Sequence, residues 1–299
     1  IEIYRDIKII TLIILLMSST VFILGGFGYI GFNLAKILNS NNYNVVIIDV
    51  IGSKVPMDFN CYYYCCDIRN LSYMITLVNK HKPDCFIWCV DLIPCNNLYY
   101  DVCINGLTSI INILNTNNIK QFIYLSSAEI YGYCEYADEN IIGAPFTTEG
   151  KTKLLSEDII VNQYSYDYFI LRVSNVYGKI IPNIPNYKNH IINQIELFKN
   201  NIIEKIGVSN IISDYIHIED LIVIISKCLY KLNVYDVNKT ILNVGTENTK
   251  SDIRIFNLLY SNKEKPPLYG HRNAKVIVNT LNCNKCKYVL LWEPKHKLV

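Results

Sequence analysis

The stretch of sequence that decides the fold is VFILGGFGYIG, residues 21–31. Its first four residues are all apolar, and such a run is typical of a strand that is buried on both faces. The glycines that follow allow a tight turn, and Ile30, Leu34 and Leu38 then recur at the spacing of one helix face. The segment therefore predicts a buried strand, a glycine loop and a helix in direct succession.

Strand and helix signals go on alternating along the chain. Further strands are predicted at 45–49, 61–68, 85–90, 122–127 and 168–178, and helices at 71–78, 101–116 and 153–164. Strands that alternate with helices at this spacing form right-handed crossovers and a parallel sheet. We therefore expect an α/β protein with a doubly wound parallel sheet of the Rossmann type.

The second half of the chain has weaker periodicity and begins with a proline-containing loop at 180–188. We expect a nucleotide-binding domain over 17–178. Residues 179–299 are expected to form mostly a smaller substrate-binding lobe, with some segments returning to the first domain. Residues 1–16 are interpreted as an N-terminal extension that is not native, because Met17 stands directly before the first strand. The apolar run within 1–16 is shorter than the roughly 20 residues that span a bilayer.

Composition narrows the classes of protein. A hydrophobic content of 51% excludes a mainly disordered chain. Lys and Arg number 28 against 26 Asp and Glu, so the chain lacks the excess of basic residues that nucleic-acid binding requires. The eleven cysteines are dispersed, and Cys283 and Cys286 form a single C-x-x-C pair without a second one. These features predict a cytoplasmic protein with reduced thiols, no metal site, and no membrane or nucleic-acid partner.

The glycine loop carries the first chemical signal. Gly25 and Gly26-x-Gly28-x-x-Gly31 lie between a buried strand and a helix, where free N–H groups and the helix dipole favour a pyrophosphate. Asp49 closes the second strand, at the position where a carboxylate accepts hydrogen bonds from the adenosine ribose. The same carboxylate would repel a 2′-phosphate, and no Arg follows it. The pattern therefore predicts NAD as the cofactor, in preference to NADP.

Beyond this loop, the chain contains an ordered series of further motifs. They are CDIRN at 66–70, LSSAEIYG at 125–132, EGKTKLLSED at 149–158, LRVSNVYG at 171–178, SDYIHIEDL at 213–221, ILNVGT at 241–246 and LLWEPK at 290–295. In this order and at this spacing they resemble the extended short-chain dehydrogenase/reductase family, specifically its NAD-dependent nucleotide-sugar epimerase/dehydratase branch. The resemblance runs from about Met17 to the C-terminus.

The resemblance implies roles for individual residues. On the cofactor side, Asp67 and Ile68 match a pair that contacts adenine, and Lys153 matches the lysine that binds the nicotinamide ribose and lowers the pKa of the catalytic tyrosine. Ser127 matches the catalytic Ser or Thr that hydrogen-bonds the reacting sugar hydroxyl. On the substrate side, Asn175 matches a residue on the sugar-nucleotide phosphates, and Arg272 matches an arginine that clamps the diphosphate.

The sequence departs from the family at the catalytic base. With Lys153 in register, Glu149 stands where the family has its tyrosine, which takes the proton from the sugar 4-hydroxyl. A carboxylate can accept a proton but is a poor conjugate acid near neutral pH. The alternative interpretation of Glu149 is an ion pair with Lys153 one helical turn away. Tyr131 and Tyr133 lie near Ser127 in sequence and could replace the missing base only if the loop folds back. Packing beneath the active-site loop is the expectation for both.

Three functions follow from these observations. The first is an NAD-dependent nucleotide-sugar epimerase or dehydratase that transfers hydride between the sugar C4 and NAD. The second is a catalytically inactive NAD-binding sensor or partner module, and the third is a reductase of a non-sugar carbonyl. The resemblance also implies a homodimer through helices at 101–116 and 151–164. His217 is expected to pack in the core, and the sugar nucleotide is not readable from the sequence.

Overall fold

The computed structural model describes the chain from residue 19 to 298 with gaps. The described residues are 19–52, 57–91, 98–179, 181, 191–199, 204, 206–207, 211–234, 239–259, 268–269 and 277–298. The predicted extension at 1–16 and the proline-containing loop at 182–188 lie outside them. Within the described residues, no helix combines the length and apolar character that crossing a membrane requires.

Strands and helices alternate in the first half of the chain, as predicted. The helices are α1 (Tyr29–Ser40), α2 (Leu71–His81), α3 (Leu107–Thr116), α4 (Thr148–Gln163), α5 (Ile191–Lys199), α6 (Ile218–Val234), α7 (Asp252–Leu259) and α8 (Asn284–Leu290). The longer strands are β1 (Thr20–Leu24), β2 (Asn44–Asp49), β3 (Tyr62–Cys65), β4 (Cys85–Trp88), β5 (Gln121–Ser127), β6 (Cys134–Ala137), β7 (Asp167–Val173) and β12 (Thr240–Val244). The shorter or peripheral strands are β8 (Asn175–Tyr177), β9 (Ile206–Gly207), β10 (Ile211–Ser213), β11 (Tyr215–His217), β13 (Lys250–Ser251), β14 (Leu268–Tyr269) and β15 (Ile277–Leu281).

Seven parallel strands form the central sheet in the order β12-β7-β5-β4-β1-β2-β3. The strand order reverses at β1, which lies between β2 and β4, so the sheet is doubly wound. The predicted α/β fold is confirmed. The sequence also predicts the strands of this sheet in their correct places up to β7, but it misses β12, which comes from the second half of the chain.

Several predicted boundaries are wrong in detail. The strand predicted at 61–68 is only β3, because Cys66 to Arg69 turn towards α2. The helix predicted at 101–116 begins as a π-helical turn over Asp101–Gly106 before it becomes α3. The helix predicted from residue 153 begins five residues earlier, because the Thr147 hydroxyl accepts a hydrogen bond from the Gly150 N–H and caps α4 there.

Alternate side chains of the buried strands contribute to two separate cores. In β1, Val21 and Ile23 face one cluster with α1 and α6, while Phe22 and Leu24 face a second cluster with α2 and α3. Successive side chains of a strand point to opposite faces, and both faces of this sheet are covered by helices. This is why VFIL is apolar at every position rather than at alternate ones.

A smaller sheet of β13-β10-β15-β6 lies beside the central one. It is built mainly from the second half of the chain, but β6 comes from the first half and pairs with β15. In return, β12 and α6 from the second half pack on the central sheet. The two halves of the chain therefore exchange elements. The division at residue 178 itself stays a prediction.

A buried ion pair connects α4 to the central sheet. The Arg172 guanidinium on β7 donates to both carboxylate oxygens of Glu157 on α4, at distances from 2.7 to 3.2 Å. The two side chains are 8% and 3% exposed. Ser126 on β5 donates a short hydrogen bond to the same carboxylate. The carboxylate thus has charged and neutral donors around it, which compensate for its desolvation.

The ion pair extends into a wider buried network. The third Arg172 nitrogen, Nη1, donates to the Tyr131 hydroxyl at 2.7 Å, and this hydroxyl donates to the Asn243 side chain at 2.7 Å. The Asn243 amide then donates to the backbone carbonyl oxygens of Ala137 and Asn282. The network thereby joins β5, β7 and β12 of the central sheet to β6 and to the short connection between β15 and α8.

We predict that Arg172→Met lowers the free energy of unfolding by about 3–5 kcal/mol, because it leaves the Glu157 carboxylate buried and without its charged partner. Urea denaturation measures this. The double variant Glu157→Met, Arg172→Met should lose clearly less free energy of unfolding than Arg172→Met alone, since it leaves no charge of this pair buried. Lys36→Met is the control, because the Lys36–Asp58 pair is exposed. An Arg172→Met loss no larger than that of Lys36→Met would contradict the prediction.

Candidate active site

The glycine loop connects β1 to α1 and is fixed by close backbone contacts. Gly25 has φ +75°, and a Cβ there would lie 2.8 Å from the Cys89 carbonyl oxygen. A Cβ on Gly31 would lie 2.5 Å from the Gly25 carbonyl oxygen and 2.7 Å from the Gly26 Cα. Both contacts are with backbone, which cannot swing aside. Gly25 is thus required by the turn, and Gly31 by the packing of α1 against the loop.

Gly28 lies at the start of α1, where a phosphate group would bind. Its nearest contact for an added Cβ is the Gly25 carbonyl oxygen at 3.3 Å. Within the described residues, no side chain caps α1 at Gly28, and the first turn of α1 contains no acidic residue. An uncapped helix N-terminus presents N–H groups and a partial positive charge to an anion. The loop therefore fits the pyrophosphate of a dinucleotide, as predicted from its glycine pattern.

Asp49 ends β2 beside this loop. Its carboxylate accepts hydrogen bonds from the Phe27 N–H at 2.9 Å and from the Ile51 N–H at 3.1 Å. Burial raises the pKa of the Asp49 carboxyl, and the backbone hydrogen bonds partly offset this. One oxygen is thereby fixed against the glycine loop, and each oxygen keeps a lone pair for a ribose hydroxyl. The geometry fits the ribose-binding role that the sequence predicts.

Asp67 and Ile68 follow β3 and occupy different environments. The Asp67 carboxylate receives several hydrogen bonds from Arg69, the shortest at 2.6 Å, and Arg69 also pairs with Asp101 at 2.6 Å. These bonds from Arg69 lower the pKa of Asp67. The Ile68 side chain is buried in the core beneath Gly106. Asp67 is therefore held in place by an ion pair, and its predicted contact with adenine stays a prediction.

Ser127 and Lys153 are both buried, and Lys153 contacts the strand that Ser127 ends. Ser127 is the last residue of β5 and is 3% exposed. Lys153, on α4, is 5% exposed, and its ammonium donates to the Leu125 carbonyl oxygen at 3.0 Å. The ammonium also lies 5.3 Å from the centroid of the Tyr124 ring. The packing of α4 on β5 thus brings Lys153 against β5, two residues before the position of Ser127.

Burial by itself lowers the pKa of the Lys153 ammonium, but the surroundings outweigh it. The pKa of Lys153 is raised well above its ordinary value by the electrostatic effect of four neighbours, Tyr124, Asp91, Tyr99 and Cys103. Lys153 therefore stays positively charged at neutral pH. A buried cation at this point stabilises negative charge that develops on nearby groups.

Glu149 lies in the first turn of α4 and is half-buried. The packing of this turn is fixed by Gly150, where a Cβ would lie 2.5 Å from the Glu129 carbonyl oxygen. Thr147, which caps the helix, also donates to the Glu129 carboxylate. The start of α4 is thereby held against the turn Ala128–Tyr131 that directly follows Ser127. The predicted match of Glu149 to the family tyrosine stays a prediction.

Of the two predicted substrate-binding residues, Asn175 and Arg272, the structure describes only Asn175. Asn175 is half-buried in β8, directly after β7, and its N–H donates to the Asp214 carbonyl oxygen at 3.2 Å. Asp214 itself is buried and accepts hydrogen bonds from the N–H groups of Thr246 and Glu247. These bonds fix the β8–β11 pair to the end of β12. Arg272 lies outside the described residues.

Tyr99 is a residue of this site that the sequence interpretation missed. Its side chain is 2% exposed, and within the described part of the chain its buried hydroxyl has no hydrogen-bond partner. Burial raises the pKa of Tyr99, and the nearby charge of Lys153 counteracts this, while Asp91 and Glu149 add to it. Tyr99 lies two residues before the π-helical turn at Asp101–Gly106, a feature that often occurs at functional sites. The order of residues gives no sign that the charge of Lys153 acts on this phenol.

The two tyrosines near Ser127, Tyr131 and Tyr133, lie in different environments. Tyr131 is buried beneath the loop, as predicted, and its hydroxyl is engaged with Arg172 and Asn243. Tyr133 is 60% exposed and stacks on Phe146 with ring centroids 4.0 Å apart, so its predicted burial is wrong. His217 is half-buried at the end of β11 and contacts Tyr177 and His296 rather than packing in the core.

Comparison with known proteins identifies the family of the chain. The model of the NAD-dependent epimerase/dehydratase family matches residues 21–245, which is more than half of the chain. The chain belongs to this family. Membership confirms the predicted family and its cofactor, NAD. The matched region contains the glycine loop, Asp49, Ser127, Lys153 and Asn175.

Curated relatives share this length and order. A UDP-glucose 4-epimerase of Lactobacillus helveticus is 26% identical over 313 residues, which cover 93% of this chain and 93% of the relative. A UDP-glucose 4-epimerase of Lacticaseibacillus casei is 23% identical and covers 93% of this chain and 92% of its own length. A UDP-glucose 4-epimerase of Brucella ovis, solved in complex with NAD, has a TM-score of 0.80 at 20% identity, with 94% of this chain and 95% of that chain covered. This structural likeness confirms the fold.

We predict that Gly31→Ala lowers the affinity for NAD at least tenfold, because the added Cβ meets backbone on the phosphate-binding loop. Relief of this overlap should also cost about 1–3 kcal/mol of stability. Isothermal titration with NAD measures the first effect and urea denaturation the second. Gly52→Ala is the matched control, since nothing lies within 4 Å of a Cβ at Gly52. Equal NAD affinity in the two variants would refute the assigned position of the pyrophosphate.

Proposed function

We propose that this protein is an NAD-dependent epimerase or dehydratase that acts on a nucleotide sugar, with hydride transfer between the sugar C4 and NAD. One observation carries the proposal. The glycine loop follows β1, Asp49 ends β2 and Ser127 ends β5, so all three lie at the carboxyl edge of one parallel sheet. Ligands of open α/β sheets bind at this edge, near the point where the strand order reverses. Lys153 adds a buried cation below the same edge.

The residues of the chain divide the work as follows. NAD, when bound, supplies the hydride acceptor and donor. The glycine loop and Asp49 hold its pyrophosphate and ribose, and Lys153 holds a positive charge against the nicotinamide side. The Ser127 hydroxyl hydrogen-bonds the reacting sugar hydroxyl and orients it. Asn175 and Arg272 are proposed to bind the diphosphate of the substrate.

The proton acceptor is the point at which this chain differs from its family. Glu149 is proposed to take the proton of the sugar hydroxyl, in place of tyrosine. A carboxylate is available as a proton acceptor near neutral pH, but it is a much weaker base than the tyrosinate that it replaces. Tyr99 is proposed as a second acceptor in its phenolate form, which the charge of Lys153 favours and burial opposes; its hydroxyl is unpartnered among the described residues.

We predict that Glu149→Tyr raises turnover of the accepted sugar nucleotide by about 10²–10⁴-fold, the usual contribution of a positioned acid–base group. Wild type and variant are assayed with UDP-, GDP- and dTDP-sugars by mass spectrometry. Lys153→Met in both backgrounds is the control and should abolish turnover. If neither form converts any of these sugars while NAD still binds, the enzymatic proposal fails.

Tyr99→Phe separates the two acceptors, because it removes only one hydroxyl and leaves the buried ring. If Tyr99 is the acceptor in the wild type, we expect kcat to fall about 100-fold or more with little change in NAD affinity. If Glu149 is the acceptor, Glu149→Gln gives that loss and Tyr99→Phe does not. A measurable wild-type rate that is unaffected by both variants would contradict the proposed site of proton transfer.

The cofactor preference depends on the charge of Asp49. We predict that Asp49→Ala weakens NAD binding about 10–100-fold, which corresponds to losing hydrogen bonds to a charged acceptor. Asp49→Asn keeps an acceptor for the Phe27 N–H but removes the charge, so it should narrow the preference for NAD over NADP. Competition titration with both dinucleotides measures this. Unchanged NAD affinity in Asp49→Ala would count against the assigned ribose position.

A second candidate function is a non-catalytic NAD-binding sensor or partner module, and the replacement of tyrosine by Glu149 favours it. A reductase of a non-sugar carbonyl is the third candidate function.

We also propose a homodimer through the helices at 101–116 and 151–164. Leu155 in the second helix and Tyr100, next to the start of the first, leave apolar surface exposed there. A cytoplasmic location is proposed as well, supported by the ten described cysteines, all of which are free thiols.

A further inference from the structure

The start of α6 and the C-terminal segment bring two histidines and a carboxylate together. One ligand atom of each of His217, Glu219 and His296 lies within 4.8 Å of the other two. His217 and Glu219 flank the junction of β11 and α6, whereas His296 comes from the segment after α8. Imidazole nitrogen and carboxylate oxygen are the donors that zinc and related divalent ions prefer.

The two imidazole rings lie against each other without a hydrogen bond between them. Their centroids are 4.1 Å apart with an interplanar angle of 26°. The His217 Nδ1 accepts from the Glu219 N–H at 3.4 Å, which is long for a hydrogen bond. The three candidate ligand atoms lie within 4.8 Å of one another, so the His217 ring must rotate to bring its nitrogen closer before all three can share one tetrahedral ion.

His296 is oriented by a second carboxylate. Its Nε2 lies 3.1 Å from Glu219 Oε2, and its Nδ1 lies 3.2 Å from Asp220 Oδ2. The Nδ1 atom is buried but is not aligned with a hydrogen-bond partner among the described residues. Asp220 is fully buried and is fixed by the N–H groups of Lys295 and His296. A carboxylate behind a histidine in this way is typical of metal sites, where it sets the tautomer and orientation of the ring.

We propose that His217, Glu219 and His296 form a binding site for a divalent transition-metal ion of the zinc class. Asp220 positions His296, and water completes a tetrahedral set. Bonds of about 2.0–2.2 Å in a tetrahedral site place ligand atoms about 3.3 Å apart. The Glu219–His296 separation of 3.1 Å already matches this spacing. The His217 ring supplies the third ligand after its rotation.

The position of the site indicates what a bound ion does. His217 contacts the Tyr177 ring and lies beside Gly178, where an added Cβ would be 3.3 Å from its Nε2. An ion held by His217 and His296 therefore fastens the C-terminal segment to the start of α6, next to the loop after β8. Because the unfolded chain does not hold these ligands together, binding stabilises the folded state. The site is independent of the proposed enzymatic function.

The test uses the full chain after treatment with a chelator. Isothermal titration with Zn²⁺ should give one site, and Zn²⁺ should raise Tm, while Mg²⁺ should do neither because it prefers an all-oxygen shell. Co²⁺ should give visible absorption bands of tetrahedral intensity, which report the ligand geometry directly. No binding of Zn²⁺ or Co²⁺ to the wild type would overturn the proposal and leave His296 with only its ion pairs.

Variants identify the ligands. His296→Ala and Glu219→Gln should each lower Zn²⁺ affinity at least tenfold and weaken the Co²⁺ bands. We expect Glu219→Gln to leave the fold intact, because the Glu219 side chain is 70% exposed. His81→Ala is the matched control, because His81 bonds to Tyr64 on a different surface and should leave affinity unchanged. Zn²⁺ binding that is insensitive to both ligand variants would assign the ion to cysteine thiols and refute the site.

Discussion

The geometry of the candidate active site depends on the buried ion pair between Glu157 and Arg172. Glu157 lies one turn after Lys153 on α4, and Arg172 lies on β7, so the pair sets the position of the helix on the sheet. Ser126, the neighbour of Ser127, bonds to the same carboxylate. Through this single group the chain fixes the strand that presents the serine and the helix that presents the lysine. Because the group is desolvated, an uncompensated partner is costly, and the arrangement has little freedom to relax.

The two sides of the proposed site are supported to different degrees. On the cofactor side, the structure has a glycine loop packed on backbone, an uncapped helix start, a buried carboxylate at the end of β2 and a buried lysine. On the acid–base side, the proposed acceptor Glu149 lies in the first turn of α4, which is held against the turn that follows Ser127. If Glu149 stands in the register of the family tyrosine, as the sequence predicts, the chemistry of that position has changed from a phenol to a carboxylate.

Local patterns in the sequence account for much of the fold and for the cofactor side of the site. VFIL, the glycines and the acidic end of β2 are contiguous features, so strand, loop and helix could be predicted from short windows. β12 was missed because the second half shows weak periodicity, and its partner β7 is distant in sequence. Tyr99 and the His217–His296 contact depend on tertiary packing. Residue spacing contains no signal for such groups.

The measurement that tests the account most directly follows the hydride itself. The NAD-loaded protein is incubated with UDP-, GDP- and dTDP-hexoses that carry deuterium at C4, and the nicotinamide is analysed by mass spectrometry. The reaction is quenched with base during turnover, because the deuteride returns to C4 at the end of each cycle and only the reduced cofactor carries it. The account predicts that deuterated reduced cofactor is trapped with one of these sugars, and that Lys153→Met abolishes its formation. If no deuterated reduced cofactor is trapped with any of them, hydride transfer at C4 is contradicted and an NAD-binding module is left.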